Sequence, residues 1–239
     1  MSRATASPPL DAAKALERVT LFESLDPEDR ARLLAVSTIR RVPARRRLFK
    51  KGDPGRELFV VLRGRAKAAA VARAGRGAVF DFFEPGEVVG EIALLDGGPR
   101  TATVTTVSTC DFLVLGRDEF LALLEREPRV AIRLLAACAT RLRHTSELVE
   151  DVVFLGLPAR LAKKLLSLAQ EYGIETGAGV RISLKLSQRE IGELVGATRE
   201  SVNRQIGHWE AEGVVRFEGG YVTLLRPQAL ASLASLVVA

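Results

Sequence analysis

Two short stretches, roughly a hundred residues apart, carry side chains whose types and spacing could do chemistry. The first is Gly90-Glu91-Ile92-Ala93-Leu94-Leu95, closed by Pro99-Arg100-Thr101-Ala102-Thr103. Backbone N–H groups at the start of a short helix hold an anion when glycine allows close approach and an arginine supplies the counter-charge. Gly90 and Arg100-Thr101 meet that need. A carboxylate beside an anion is repulsive, so Glu91 has a place only as an acceptor from a hydroxyl, such as that of a sugar, while Arg100 holds a phosphate.

The second stretch runs from Ser187 to Glu200. Ser187-x-x-Glu190 is a capping box, which satisfies two orphan N–H groups at a helix start. Gly196-Ala197 makes a tight turn and Thr198 caps a second helix. The apolar set Ile191, Leu194, Val195, Val202, Ile206 and Trp209 gives these helices an inner face. Ser187, Gln188, Thr198, Arg199, Glu200, Ser201, Asn203 and Arg204 are left at their exposed ends. A helix-turn-helix presents residues to base edges there: arginine can donate twice to guanine, and glutamate can accept from cytosine. Ser201 and Gln205 are placed for phosphate or a neighbouring base. The plainer reading is a solvated i to i+4 salt-bridged face made by Arg199, Glu200 and Arg204.

Other chemistry has little to stand on. Cys110 and Cys138 lack the spacing of a zinc or iron–sulfur site, which usually needs four protein ligands, and a disulfide is not expected in a reducing compartment. His144 and His208 are isolated. No nucleophile and base pair is spaced for catalysis, so an enzyme is not expected and neither is a metal or prosthetic group.

These stretches need elements to position them. Asp26-Pro27-Glu28-Asp29 supplies an N-cap, a first-turn proline and acidic residues, within a region of short helices over 15–36. From Thr38 to Leu115 the pattern turns to short β-rich runs broken by glycine turns, the signature of a β-barrel or jelly roll. Pro128 to Val153 reads as one long helix. On it Leu135, Cys138, Leu142, Thr145, Val149 and Val152 recur at alternating three- and four-residue steps, the seam of a coiled coil. The rest of its surface is polar, including Arg141, Arg143, Glu147, Glu150 and Asp151. Gly156-Leu157-Pro158 ends this helix and starts another over Ala159 to Ala169. A glycine-rich turn (Gly173, Gly177, Gly179) precedes the helix-turn-helix. Then Val214-Val215-Arg216-Phe217, Glu218-Gly219-Gly220 and Tyr221-Val222-Thr223-Leu224-Leu225 read as the β-hairpin of a wing. The tail from Arg226 has helical periodicity and no motif.

At 239 residues and 47% hydrophobic content the chain suits two domains with ordinary cores. We expect an α+β architecture: a β-barrel domain over 15–127, a dimerisation helix over 128–155, and a winged helix-turn-helix domain over 156–239. A net charge of +6 suits a polyanion partner. The densest basic run, Arg40 to Lys51, lies far from the helix-turn-helix and reads as a solvated strand-and-turn face. No run is long and apolar enough for a membrane helix, and Met1 to Pro9 lacks the apolar stretch of a secretory signal. The cytoplasm is expected.

The run from Gly90 to Val104 resembles the phosphate-binding cassette of cyclic-nucleotide-binding domains, and residues 18–225 together resemble the CRP/FNR family of bacterial regulators. The resemblance implies that Glu91 binds the ribose hydroxyl and that Arg100 and Thr101 bind the cyclic phosphate, with Gly90, Ile92 and Ala93 completing the site. Family members that bind cyclic AMP carry Thr-Ser on the dimer helix against the adenine, and Thr145-Ser146 stands at that place; packing alone would make Thr145 a polar seam residue that sets register. Ala93 and the Pro99-Arg100 turn depart from the best-known member, which bears on affinity and nucleotide preference. Arg199, Glu200 and Arg204 match the family's reader of a TGTGA-type half-site, and Asn203 departs from its small residue. The resemblance thus implies a homodimeric DNA-binding regulator controlled by cyclic AMP, with double-stranded DNA, a second copy and RNA polymerase as partners and no membrane. The alternatives are a regulator that binds DNA constitutively or answers another nucleotide, and a nucleotide-binding signalling module that docks proteins.

Overall fold

The computed structural model describes residues 11–71 and 77–235. The expectations for Met1 to Pro9 and for the last four residues of the tail lie outside them. Within that range the chain divides into two compact units. The first comprises the described residues through Ala69 and Asp81–Arg141; the second comprises Ala70–Phe80 and the described residues from Leu142 on.

Short helices open the first unit: α1 (Ala12–Leu16), a 3-10 turn over Thr20–Phe22, and α2 (Pro27–Ala35). Asp26 caps α2, accepting from the Asp29 N–H at 2.8 Å. Eight strands follow: β1 (Thr38–Val42), β2 (Arg47–Phe49), β3 (Glu57–Arg63), β4 (Ala66–Val71), β5 (Gly77–Phe83), β6 (Val88–Val89), β7 (Thr103–Thr106) and β8 (Cys110–Gly116). They form two four-stranded sheets, ordered β1-β8-β3-β6 and β2-β7-β4-β5. Helix α3 (Glu91–Asp96) lies between β6 and β7, and α4 (Arg117–Arg126) follows β8. Alternate residues of β3 and β8 face opposite ways, as strand geometry requires. Leu58, Val60, Leu113 and Leu115 join the core shared with the helices. Phe59, Val61, Phe112 and Val114 fill the core against the second sheet. The basic run lies on β1, β2, the turn between them and the turn after β2; Arg40 pairs with Glu57 at 2.7 Å and Arg41 approaches Asp111 at 3.8 Å.

Helix α5 (Pro128–Phe154) is the predicted long helix, and the division between the units falls within it, after Arg141. Val130 and Leu134 are buried in the core of the first unit. After Gly156 comes α6 (Leu157–Tyr172), three residues longer at its C-terminal end than the sequence pattern predicts.

The glycine-rich segment that reads as a turn is a hairpin, β9 (Gly173–Thr176) with β10 (Gly179–Ile182). The wing is β11 (Val215–Glu218) and β12 (Tyr221–Leu224); β10 pairs with β12, Val180 opposite Leu224 and Arg181 opposite Thr223, in one sheet ordered β11-β12-β10-β9. The Gly219-Gly220 turn has positive φ at both residues, as a tight hairpin of this twist needs. The tail forms α9 (Pro227–Ser235), whose Leu230 is fully buried.

Cys110 and Cys138 are free thiols. Cys110 is fully buried, and burial pushes its thiol up to about 11. An unfolded thiol ionises near 8.5, so this group's contribution to stability is complete below that pH and is lost as pH rises through the folded value. Unfolding free energy, followed by urea titration and circular dichroism, should fall as pH climbs from about 9 to 11, and Cys110→Ala should flatten that slope.

Candidate nucleotide cradle and DNA reader

The cradle is built on the short crossing from β6 to β7. Gly90 caps α3 with φ of 90°. That backbone angle favours glycine, and a Cβ there would run into the Arg100 guanidinium. Ala93 is buried against Gly55, while Ile92 and Thr101 are exposed.

Arg100 is 4% exposed. Its Nη1 donates to the Gly90 carbonyl at 2.9 Å and its Nη2 to the Glu57 carbonyl at 2.7 Å. Nε is buried and has no hydrogen-bond partner. Burial lowers the pKa of this guanidinium, an effect opposed by Glu57, Glu91 and Asp53. Its backbone is held by the turn before β3: Arg100 N–H donates to Asp53 O at 2.8 Å, and Gly52 N–H donates to Arg100 O at 2.9 Å.

Glu91 is 3% exposed and already carries a partner. Arg141 of α5 donates from Nη1 to Glu91 Oε1 at 2.6 Å and from Nη2 to the Val88 carbonyl at 2.5 Å. Its Nε lies 3.4 Å from Asp81 Oδ2, and its guanidinium sits 4.8 Å from the Phe83 ring centroid. The sequence reading places Arg141 among polar surface residues; the structure instead turns it inward against Glu91. Its position one helical turn before Thr145 is the signal that could have found it, because residues i and i+4 share a face.

Along α5, Leu135, Leu142, Val149 and Val152 are exposed large hydrophobic residues, as a seam requires of one chain taken alone. Thr145 and Ser146 are exposed, and Ser146 Oγ donates to the Leu142 carbonyl at 3.0 Å. Cys138 differs: it packs, half-buried, against the core of the first unit. Ile132 and Val153 are exposed as well. The apolar stripe therefore runs Ile132, Leu135, Ala139, Leu142, Ser146, Val149 and Val153 in alternating three- and four-residue steps, with Val152 beside it. Sequence spacing alone cannot separate this register from the one through Cys138 and Thr145, because the two share Leu135, Leu142 and Val149.

In the second unit α7 (Gln188–Val195) and α8 (Arg199–Ala211) form the helix-turn-helix. The capping box is complete: Glu190 N–H donates to Ser187 Oγ at 3.2 Å, and Ser187 N–H donates to Glu190 Oε2 at 2.8 Å. Thr198 caps α8, accepting from the Ser201 N–H at 3.2 Å. Ile191, Leu194, Val195, Val202, Ile206 and Trp209 are buried, the inner face their spacing implies. A Cβ on Gly192 would stand 2.8 Å from the Ala197 carbonyl, which explains a glycine inside α7.

Arg199, Glu200, Asn203 and Arg204 are exposed at the start of α8. Among the described residues no ion pair joins Glu200 to Arg199 or Arg204, so the salt-bridged surface reading finds no support in the geometry. Gln188 Nε2 donates to Asn203 Oδ1 at 2.8 Å, tying α7 to α8 across this face. The Glu200 pKa is lowered by its own backbone N–H at the helix start, then by the Thr198 hydroxyl, with smaller help from Arg199 and Arg189. Glu200 thus remains an acceptor, beside arginines that can only donate.

A β-rich unit with a buried arginine and carboxylate, in one chain with a capped helix-turn-helix and wing, defines a nucleotide-binding DNA-binding regulator. Comparison with known proteins agrees. Residues 39–127 match the cyclic nucleotide-binding domain family and residues 159–233 the Crp-like helix-turn-helix domain family. The "CRP-like cAMP-activated global transcriptional regulator" of Mycobacterium tuberculosis is 32% identical over 216 residues, 90% of this chain and 96% of that one. The "Cyclic AMP receptor protein" of Thermus thermophilus is 31% identical over 214 residues, again 90% and 96%. Among solved structures, the c-di-GMP responsive global regulator CLP of Xanthomonas campestris superposes with a TM-score of 0.76 at 27% identity, covering 83% of this chain and 99% of that one. The chain belongs to the CRP/FNR family: it is a DNA-binding transcription regulator with a cyclic nucleotide-binding domain, in a family of regulators and not of enzymes.

Breaking a buried ion pair by removing one partner costs about 3–5 kcal/mol, because the other charge is left unpaired. Arg141→Met should therefore destabilise the first unit by about 3 kcal/mol. Adding Glu91→Gln should recover part of the loss, read as a non-additive double-mutant cycle in chemical denaturation.

Proposed function

We propose that this chain is a homodimeric regulator controlled by cyclic AMP, with Arg100 and Thr101 holding the cyclic phosphate and Glu91 the ribose hydroxyl. The observation that carries this reading is the buried Arg100, fixed by two carbonyls and left with an Nε–H that has no partner. An unsatisfied buried donor costs about 1–3 kcal/mol, so an anion that accepts from it recovers that cost. When bound, the nucleotide supplies a phosphate for this donor and hydroxyl and base edges for Glu91, Thr145 and Ser146. The names of the Mycobacterium and Thermus relatives support cyclic AMP as effector. The exposed apolar stripe of α5 supports a second copy as its cover, with Leu135, Leu142, Val149 and Val152 in the interface and Cys138 at its margin.

A two-fold dimer places two recognition helices on successive major grooves, about 34 Å apart, and so reads a palindrome. Arg199, Glu200 and Arg204 read a TGTGA-like half-site. Asn203 sets a neighbouring preference, and Ser187, Gln188, Thr198 and Ser201 touch phosphate or neighbouring bases. Control requires that the nucleotide bind the DNA-competent dimer more tightly than the other form. RNA polymerase is the further partner and the cytoplasm the setting. In this reading the domains are the nucleotide-binding β-barrel over 15–127, the dimer helix over 128–155 and the winged reader over 156–239. Cyclic di-GMP is the rival effector, on the strength of the Xanthomonas neighbour.

Calorimetric titration with cyclic AMP, cyclic GMP and cyclic di-GMP tests this, run beside DNA retardation on a palindromic TGTGA probe. Cyclic AMP should bind and raise probe affinity, and Arg100→Leu should abolish the response with the fold intact; a variant that still responds would sink the site assignment. Arg199→Ala should weaken probe binding by about 1–3 kcal/mol and relax preference at one base pair. Equal loss on all sequences would make Arg199 a phosphate contact.

A further inference from the structure

We infer that Phe49 is a positioning residue for phosphate recognition: its ring is the platform over which the Arg100 guanidinium is held in the cradle. This role rests on the nucleotide-binding reading above. The Arg100 guanidinium carbon lies 4.2 Å from the centroid of the Phe49 ring and 5.6 Å from that of Phe59. The first distance is well inside the range of a cation–π contact, which strengthens when the cation is shielded from water, as Arg100 is.

Phe49 does not face this way by simple strand alternation. Arg47 of β2 pairs with Thr105 of β7, but Phe49 pairs with Val104, so the register shifts by one residue between them. Such a bulge re-aims a side chain. Here Arg47 stays exposed while Phe49 turns half-buried onto the core of the first unit. That core fixes the ring from beneath. Phe49 lies 5.8 Å from Phe59, and Phe59 meets Phe112 edge-on at 6.0 Å; both lower rings are buried.

The division of labour follows from donor geometry. A guanidinium has five N–H donors in one plane. The Gly90 and Glu57 carbonyls hold the two Nη ends of that plane, and beyond the flexible side-chain stem a further constraint is needed to stop it from rocking about the line between them. The Phe49 face supplies that constraint without using a donor, so the buried Nε–H stays available. An aliphatic residue of similar volume would fill the space and leave the plane free to tilt.

The test compares cyclic AMP binding by calorimetry for the full-length chain and for Phe49→Leu, Phe49→Met and Phe49→Tyr, with thermal unfolding of each. Leu and Met fill the site without a π face; Tyr keeps one. The expected result is that Leu and Met each weaken binding by about five- to thirtyfold, the range of one shielded cation–π contact, while Tyr stays within about twofold of the parent. Thermal midpoints separate this from a packing defect: a Tyr variant that binds as poorly as Leu, or affinities that follow the midpoints and not the aromatic face, would overturn the role. Equal binding by all four proteins would overturn it too, leaving the cyclic AMP reading intact. Absence of binding by the parent chain would instead overturn that reading, and this role with it.

Discussion

Two charges taken out of water in one small space set the terms for the first unit. Glu91 opens α3 and Arg100 follows it, each nearly inaccessible, and each would be prohibitively costly there without compensation. The structure compensates them in different ways. Glu91 receives an opposite charge from Arg141, delivered by a helix fifty residues further on. Arg100 receives two neutral carbonyls and an aromatic face, which solvate the cation without neutralising it. A carboxylate already matched and a cation still carrying its full charge give the cradle a net preference for an anion.

The same arrangement explains why α5 is more than a spacer. Its first half is anchored by Val130 and Leu134 in the core and by Arg141 in the cradle. Beyond Arg141 the helix belongs by its contacts to the second unit and carries the exposed Leu142, Val149 and Val153. A helix is stiff along its axis, so whatever competes with Arg141 for Glu91 acts on an element that both units share.

Much of this was legible in the amino-acid sequence, because the informative residues act locally. A capping box, a proline in a first helical turn and a paired glycine turn declare themselves within four or five residues, and the helix-turn-helix and wing lie where those signals fall. The β9–β10 hairpin was hidden because three glycines in seven residues look like a loop until β12 is beside them. Arg141 and Phe49 were hidden for another reason. Arg141 stands among charged neighbours on an amphipathic helix, and only the fold brings Glu91 to it. Phe49 stands within a basic run, and the bulge that turns it inward leaves no mark in the alternation of β2. The apolar spacing of α5 was legible at Leu135, Leu142 and Val149, which are exposed, whereas only the fold shows Cys138 packed against the core.

Trp209 is the chain's single tryptophan, and it is buried on the inner face of α8. The cradle holds none, so the protein's intrinsic near-ultraviolet emission arises from one unit while the nucleotide site lies in the other. The molecule therefore carries its own label in the helix-turn-helix. A shift in that emission on adding nucleotide alone would be an optical record of communication between the two units.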